Sequence, residues 1–114
     1  SRGLGDVYKR QDITAIMCGN DQMAVAAKTA LNLAGNDQTV VYSIDGSPDI
    51  KKELKKADGQ IAGTVAQSPV NIGKKAVDIA LDILEGKDFE KETSVDVFMI
   101  NKENVEMYGA DGWQ

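Results

Sequence analysis

The chain has 114 residues, 42% of them hydrophobic, with a net charge of −5 and a pI near 4.6. That supports one modest core, and acidity without a basic cluster argues against a nucleic-acid or anionic-membrane partner, since both need a positive footprint. Histidine is absent, which removes the commonest general base and metal ligand, and a lone Cys18 permits no intrachain disulfide.

In chain order, residues 1–11 come first (Ser-Arg-Gly-Leu-Gly-Asp-Val-Tyr-Lys-Arg-Gln). They resemble a translated frame of a transposon adapter used in preparing sequencing libraries. They are therefore expected to be foreign to the fold, with Leu4 and Val7 holding no core contacts, and the natural sequence is expected to begin mid-gene near Asp12. Residues 13–18 form a short apolar run that reads as a buried strand, punctuated by Gly19-Asn20-Asp21. Met23, Ala24, Ala27, Ala30, Leu31 and Ala34 then recur at three- and four-residue spacing, predicting a helix over 21–34 that ends at Gly35.

Residues 39–44 are β-branched and aromatic, predicting a second strand, and Ser47-Pro48 offers a cap and a first-turn proline for a helix over 49–57. Residues 61–66 predict a third strand, and Ser68-Pro69 repeats the cap-and-proline signal. Ile72, Ala76, Val77, Ala80, Leu81 and Leu84 outline the apolar stripe of the longest helix, over 71–85. Residues 94–100 read as a final strand, with Val95, Val97 and Met99 alternating against Asp96 and Phe98, and a polar tail follows. Strands alternating with helices predict an α/β fold: an open parallel sheet of four strands with helices on both faces. No apolar run approaches the ~20 residues of a membrane span.

In open parallel sheets, ligands bind beyond the carboxyl ends of the strands. Asn20 follows the first strand, Asp45 ends the second and Gln67 follows the third, so all three are expected along one edge. Each is planar and polar, able to make two hydrogen bonds in fixed geometry, which suits the neighbouring hydroxyls of a sugar or polyol better than a phosphate. Plainer readings stand beside this one. Asn20 serves equally well as a helix N-cap, Asp45 before Gly46 as a turn residue, and Gln67 as a solvated loop residue. Cys18 reads as a small core residue, Lys51, Lys52, Lys55 and Lys56 as the wet face of a helix, and Trp113 as packing on its own domain more readily than stacking on a sugar.

Three motifs carry a family resemblance: Asn20-Asp21-Gln22-Met23-Ala24, Ser43-Ile44-Asp45-Gly46-Ser47-Pro48, and Thr64-Val65-Ala66-Gln67 followed by Gly73-Lys74-Lys75-Ala76. In order and spacing, residues 13–108 resemble the C-terminal part of periplasmic sugar-binding proteins of the ribose-binding type. Ser43-Ile44 departs from the family's Gly-Phe. The resemblance implies a fragment of a two-lobed fold that closes like a hinge on a sugar, with Asn20, Asp45 and Gln67 hydrogen-bonding the ligand. It implies an ABC transporter permease as partner, no cofactor, no metal, no catalysis, no nucleic acid and no membrane insertion by this segment. It also implies a periplasmic location, or an extracellular lipid-anchored one in a Gram-positive host.

By the same resemblance, residues 12–67 belong to the C-terminal lobe and 68–92 contribute a helix to the other lobe. Residues 93–114 supply a return strand and tail. That helix is expected to lack its partner sheet here, leaving the isolated chain marginal in stability.

The same fold also serves the effector-binding domain of lactose-repressor-type regulators. Those carry Asp-Asp where this chain has Asp45-Gly46, and Leu-Thr-Thr-Val where it has Ala62-Gly63-Thr64-Val65, which favours transport. An α/β enzyme or phospho-acceptor using Asp45 is disfavoured, since no dinucleotide turn, phosphate loop, paired acid and base or metal-ligand cluster is present.

Overall fold

The structure, a computed structural model, describes residues 13–114; the adapter-like segment, Leu4 and Val7 included, lies outside the described residues. Strands β1 (Ala15–Met17), β2 (Val40–Asp45), β3 (Ile61–Ala66) and β4 (Phe98–Asn101) form one open sheet in sequence order. Helix α1 (Asp21–Leu33) joins β1 to β2 and α2 (Pro48–Leu54) joins β2 to β3. Helix α3 (Pro69–Leu84) leaves β3, and the short α4 (Val105–Tyr108) follows β4. Helices α1, α2 and α3 are capped by side chains that accept an orphan N–H: Asn20 from Met23, Ser47 from Ile50 and Ser68 from Asn71. Pro48 and Pro69 stand in the first turn, where a missing N–H costs nothing.

β1, β2 and β3 pair in parallel, with Met17 beside Tyr42 and Asp45 beside Ala66. The expected fourth parallel strand is instead antiparallel: Phe98 lies beside Ala66 and Ile100 beside Thr64. A parallel crossover needs its helix to run back across the sheet to the starting edge. Helix α3 buries no residue, and the chain rejoins the sheet at the same carboxyl edge from which it left. The pairing also explains why β4 begins at Phe98 and not at 94: β3 ends at Ala66, so nothing extends the ladder to Val97. Helix α2 likewise stops at Leu54, short of 57, because Lys56 N–H turns back to Glu53 and Gly59 N–H to Lys56.

Helices on both faces were also expected; among the described residues, the helices that pack on the sheet share one core. Ala24 of α1, Ile50 and Leu54 of α2, and Val105 of α4 share one core with Val41, Ile61, Ala66 and Ile100. Within β2, Val41 and Ser43 are buried while Val40 and Ile44 are exposed. On the other face, Met17 is 75% exposed, and Ile44 and Met99 are open as well. The stripe of α3 is equally uncovered, since Val77, Leu81 and Leu84 are all exposed. Every such side chain forgoes roughly 1.5–3 kcal/mol of burial.

The core is held at its polar centre by Asp21, 2% exposed at the start of α1. Its Oδ1 accepts from Ser43 Oγ at 2.5 Å and Thr64 Oγ1 at 2.8 Å, and its Oδ2 accepts from Ser47 N–H at 2.7 Å. One carboxylate thus joins α1, β2, β3 and the loop opening α2. Lys51 departs from the expected wet face of α2. It is 0% exposed, and its Nζ donates to the Gly112 carbonyl of the C-terminal tail, whereas Lys52, Lys55 and Lys56 are exposed as expected.

Two outcomes follow from these buried charges. Asp21→Ala strands two hydroxyls and an N–H, and should lower unfolding free energy by about 3 kcal/mol, read as the urea midpoint; a loss under about 1 kcal/mol would refute this joining role. Burial lowers the Lys51 pKa from its ordinary 10.5, only partly opposed by nearby Asp111. The folded state therefore binds fewer protons than the unfolded one, so this group's penalty fades as pH rises toward 10.5. Stability relative to Lys51→Met should climb over that approach, and parallel pH curves for the two proteins would contradict it.

Candidate functional site

The carboxyl edge of the sheet gathers the three residues singled out from the sequence. Asn20 lies just beyond β1, Asp45 is the last residue of β2, and Gln67 is the first residue past β3. The register that sets Asp45 beside Ala66 puts Gln67 next to Asp45: Gln67 N–H donates to the Asp45 carbonyl at 3.1 Å. The Gln67 side chain reaches the Asp45 carboxylate with Nε2 to Oδ1 at 3.5 Å, at the long limit of a hydrogen bond. Asn20 uses its side chain as the N-cap, Oδ1 accepting from Met23 N–H at 2.8 Å. The capping reading of Asn20 thus holds, and the amide NH₂ and the second lone pair of Oδ1 remain for a ligand.

Asp45 has φ 134°, the one positive value among described residues other than glycine. A side chain there costs about 1–3 kcal/mol and persists only where the surroundings force it. They do so here. Gly46 follows at φ 76°, and a Cβ on it would stand 2.6 Å from Ala66 Cβ, so only glycine lets the loop press against β3. Its N–H donates to Thr64 Oγ1 at 3.2 Å, and Ser47 N–H is taken by Asp21. With both following residues anchored, Asp45 absorbs the twist, and its half-buried carboxylate faces the edge.

Two clefts open at this edge. The larger, of about 910 Å³, is lined by Asn20, Asp45, Ser47, Asp49 and Lys52, among others; the smaller, of about 460 Å³, by Asp45, Gln67, Val70 and Ile72. Asp45 borders both, while Asn20 and Gln67 line different ones. Trp113, 49% exposed, also borders both; the sequence favoured packing on its own domain over stacking on a sugar, because nothing in a polar tail says where it folds back.

Glu53, which lines the larger cleft, is paired with two lysines. Burial would raise the Glu53 carboxyl, but a hydrogen bond from Lys56 at 2.7 Å and the Lys28 ammonium 2.9 Å away outweigh it and hold the pKa below its ordinary value. Cys18 is buried in the core, and burial pushes its thiol up, away from the reactive thiolate. Among the described residues, no group of three His, Cys, Asp or Glu is placed to hold a metal. Among them too, no helix is long and apolar enough to cross a membrane. The edge thus presents carboxylate acceptors at Asp45 and amide groups at Asn20 and Gln67.

A family model, periplasmic binding protein domain, matches residues 3–88, its first positions falling within the adapter-like segment. The chain is 38% identical over 92 residues to the ribose import binding protein of Salmonella typhimurium, covering 81% of this chain and 30% of that protein. It is 42% identical over 83 residues to the ribose import binding protein of Bacillus subtilis, covering 73% and 26% respectively. Among solved structures, an ABC transporter solute-binding protein from Agrobacterium vitis with bound allitol superposes at TM-score 0.80 and 28% identity, over 92% of this chain and 36% of that one. A periplasmic solute-binding protein from Actinobacillus succinogenes with bound D-allose gives TM-score 0.80 and 27% identity, over 91% and 36%. The chain thus spans about 30% of the length of the curated relatives it matches. Sheet, edge and motifs agree with that match: this chain belongs to the periplasmic binding protein domain family.

Proposed function

We propose that the chain is the C-terminal part of a sugar receptor for an ABC importer, with Asn20, Asp45 and Gln67 hydrogen-bonding a small carbohydrate. The observation that carries this reading is Asp45, held at φ 134° with its carboxylate at the sheet edge, 3.5 Å from the Gln67 amide. An ionised carboxylate accepts two charge-assisted hydrogen bonds, and a neighbouring amide both donates and accepts, which matches vicinal hydroxyls. The names of the relatives, which concern ribose and allose, support a sugar and support transport over repression.

The division of the chain follows the same reading. Residues 12–67 form the near lobe, 68–92 carry α3 into the other lobe, and 93–114 return as β4 and the tail. The unburied stripe of α3 and the antiparallel return of β4 support this. Closure of the lobes about the crossings between them traps the sugar, and the closed form is presented to the membrane permease. The receptor would work in the periplasm, or outside a Gram-positive cell on a lipid anchor.

The test is calorimetric titration of the two-lobed protein with D-ribose, D-allose, D-fructose and L-arabinose. Asp45→Ala and Gln67→Ala should each weaken the best-bound sugar by about 1.5–3 kcal/mol, roughly 10- to 150-fold. Unchanged affinity in both variants would sink the site. Asp45→Gly adds a second readout. It removes the carboxylate and also relieves the strained φ, so affinity should fall while unfolding free energy rises by about 1 kcal/mol. A fall in stability would show that the surroundings do not force Asp45 into strain.

A further inference from the structure

The C-terminal tail is tied down on both sides of Trp113. The Gly112 carbonyl, just before it, accepts from Lys51 Nζ, and the Gln114 carbonyl, just after it, accepts from Ser68 Oγ. Both donors are buried, Lys51 at 0% and Ser68 at 3% exposed. An irregular polar segment frays unless something holds it, and burying an ammonium is a costly way to do so, since desolvation works against the charge. Packing alone would be served by an apolar side chain at 51. What lysine adds is a long, directional donor that fixes one carbonyl of the tail.

The residue so fixed is half exposed and borders both clefts that share Asp45. No other aromatic side chain lines either cleft among the described residues. A sugar ring has a polar rim of hydroxyls and two faces of C–H bonds. Asp45 and Gln67 can meet the rim, but neither can cover an apolar face. A flat indole can, at little cost in rotamer freedom.

We infer that Trp113 is the apolar wall of the sugar site: its indole packs on the C–H face of the ring whose hydroxyls Asp45 and Gln67 bind. The inference rests on the sugar-receptor reading and adds to it a specificity residue supplied by the tail. Lys51 acts as a positioning residue, holding Trp113 in place without touching the ligand. Sugars with a continuous C–H face on one side of the ring are favoured over those whose hydroxyls interrupt both faces.

The experiment uses the two-lobed protein and whichever of D-ribose, D-allose, D-fructose or L-arabinose it binds best. Trp113→Ala should weaken that sugar roughly tenfold and Trp113→Phe no more than about threefold. Lys51→Met should resemble Trp113→Ala, with the double variant no worse than either single one, as expected for residues acting as one unit. The fluorescence difference between wild type and Trp113→Phe isolates the indole at 113, which saturating sugar should shield from acrylamide quenching. Affinity within about twofold in Trp113→Ala, alongside a clear loss in Asp45→Ala, overturns the inference and leaves the sugar site standing. If Trp113→Ala unfolds, the quenching result decides, and absence of shielding overturns the inference. If folded wild type binds none of the four sugars, both readings fall together.

Discussion

A buried carboxylate is tolerable only when its lone pairs are filled, and the fold is arranged around that demand at Asp21. Ser43 reaches it from β2, Thr64 from β3 and Ser47 from the loop between β2 and α2. These contacts fix the position of α1 on the sheet and the alignment of β2 with β3. They also set the path of the loop after Asp45. Thr64 extends the arrangement, donating to Asp21 while accepting from Gly46 N–H. The strained backbone of Asp45 is the visible consequence, wedged between a strand in register and a loop already anchored.

The strain has a direction of use. Glycine would relieve it, since it has no Cβ, yet only a carboxylate offers two charged acceptors there. Stability given up at such a position is regained from the surrounding hydrogen bonds, and on the proposed reading the carboxylate meets a ligand without rearranging. The core carries this load although, among the described residues, its sheet is covered on one face only. The bare face and the stripe of α3 show how much apolar surface the described residues leave without a partner.

The tail shows the same economy from the other end of the chain. Helix α4 seats Val105 in the core and stacks Tyr108 on Phe98, with ring centroids 5.0 Å apart. From there the last residues turn back over α2 to Lys51 and then to Ser68 at the start of α3. The final segment is thereby joined to the sheet edge where Asp45 stands. It brings an aromatic side chain to a site otherwise built from short polar ones.

The sequence by itself determined the elements whose signals are local. Caps followed by proline marked α2 and α3, short β-branched runs marked β2 and β3, and the residues ending those runs put Asn20, Asp45 and Gln67 at one edge. Local signals suffice there because a cap, a proline and a strand end act within three or four residues. Only the tertiary structure decided what depends on partners distant in the chain. Strand direction was one such matter: residues 94–100 look alike whether they run parallel or antiparallel, and the reversal of β4 came from where α3 releases the chain. Lysine 51 was another, since the spacing of Lys51, Lys52, Lys55 and Lys56 describes a wet helix face and cannot reveal a tail returning from 61 residues away to bury one of them. The strain at Asp45 and the place of Trp113 at both clefts belong to the same class, because each is set by contacts between segments that share no local pattern.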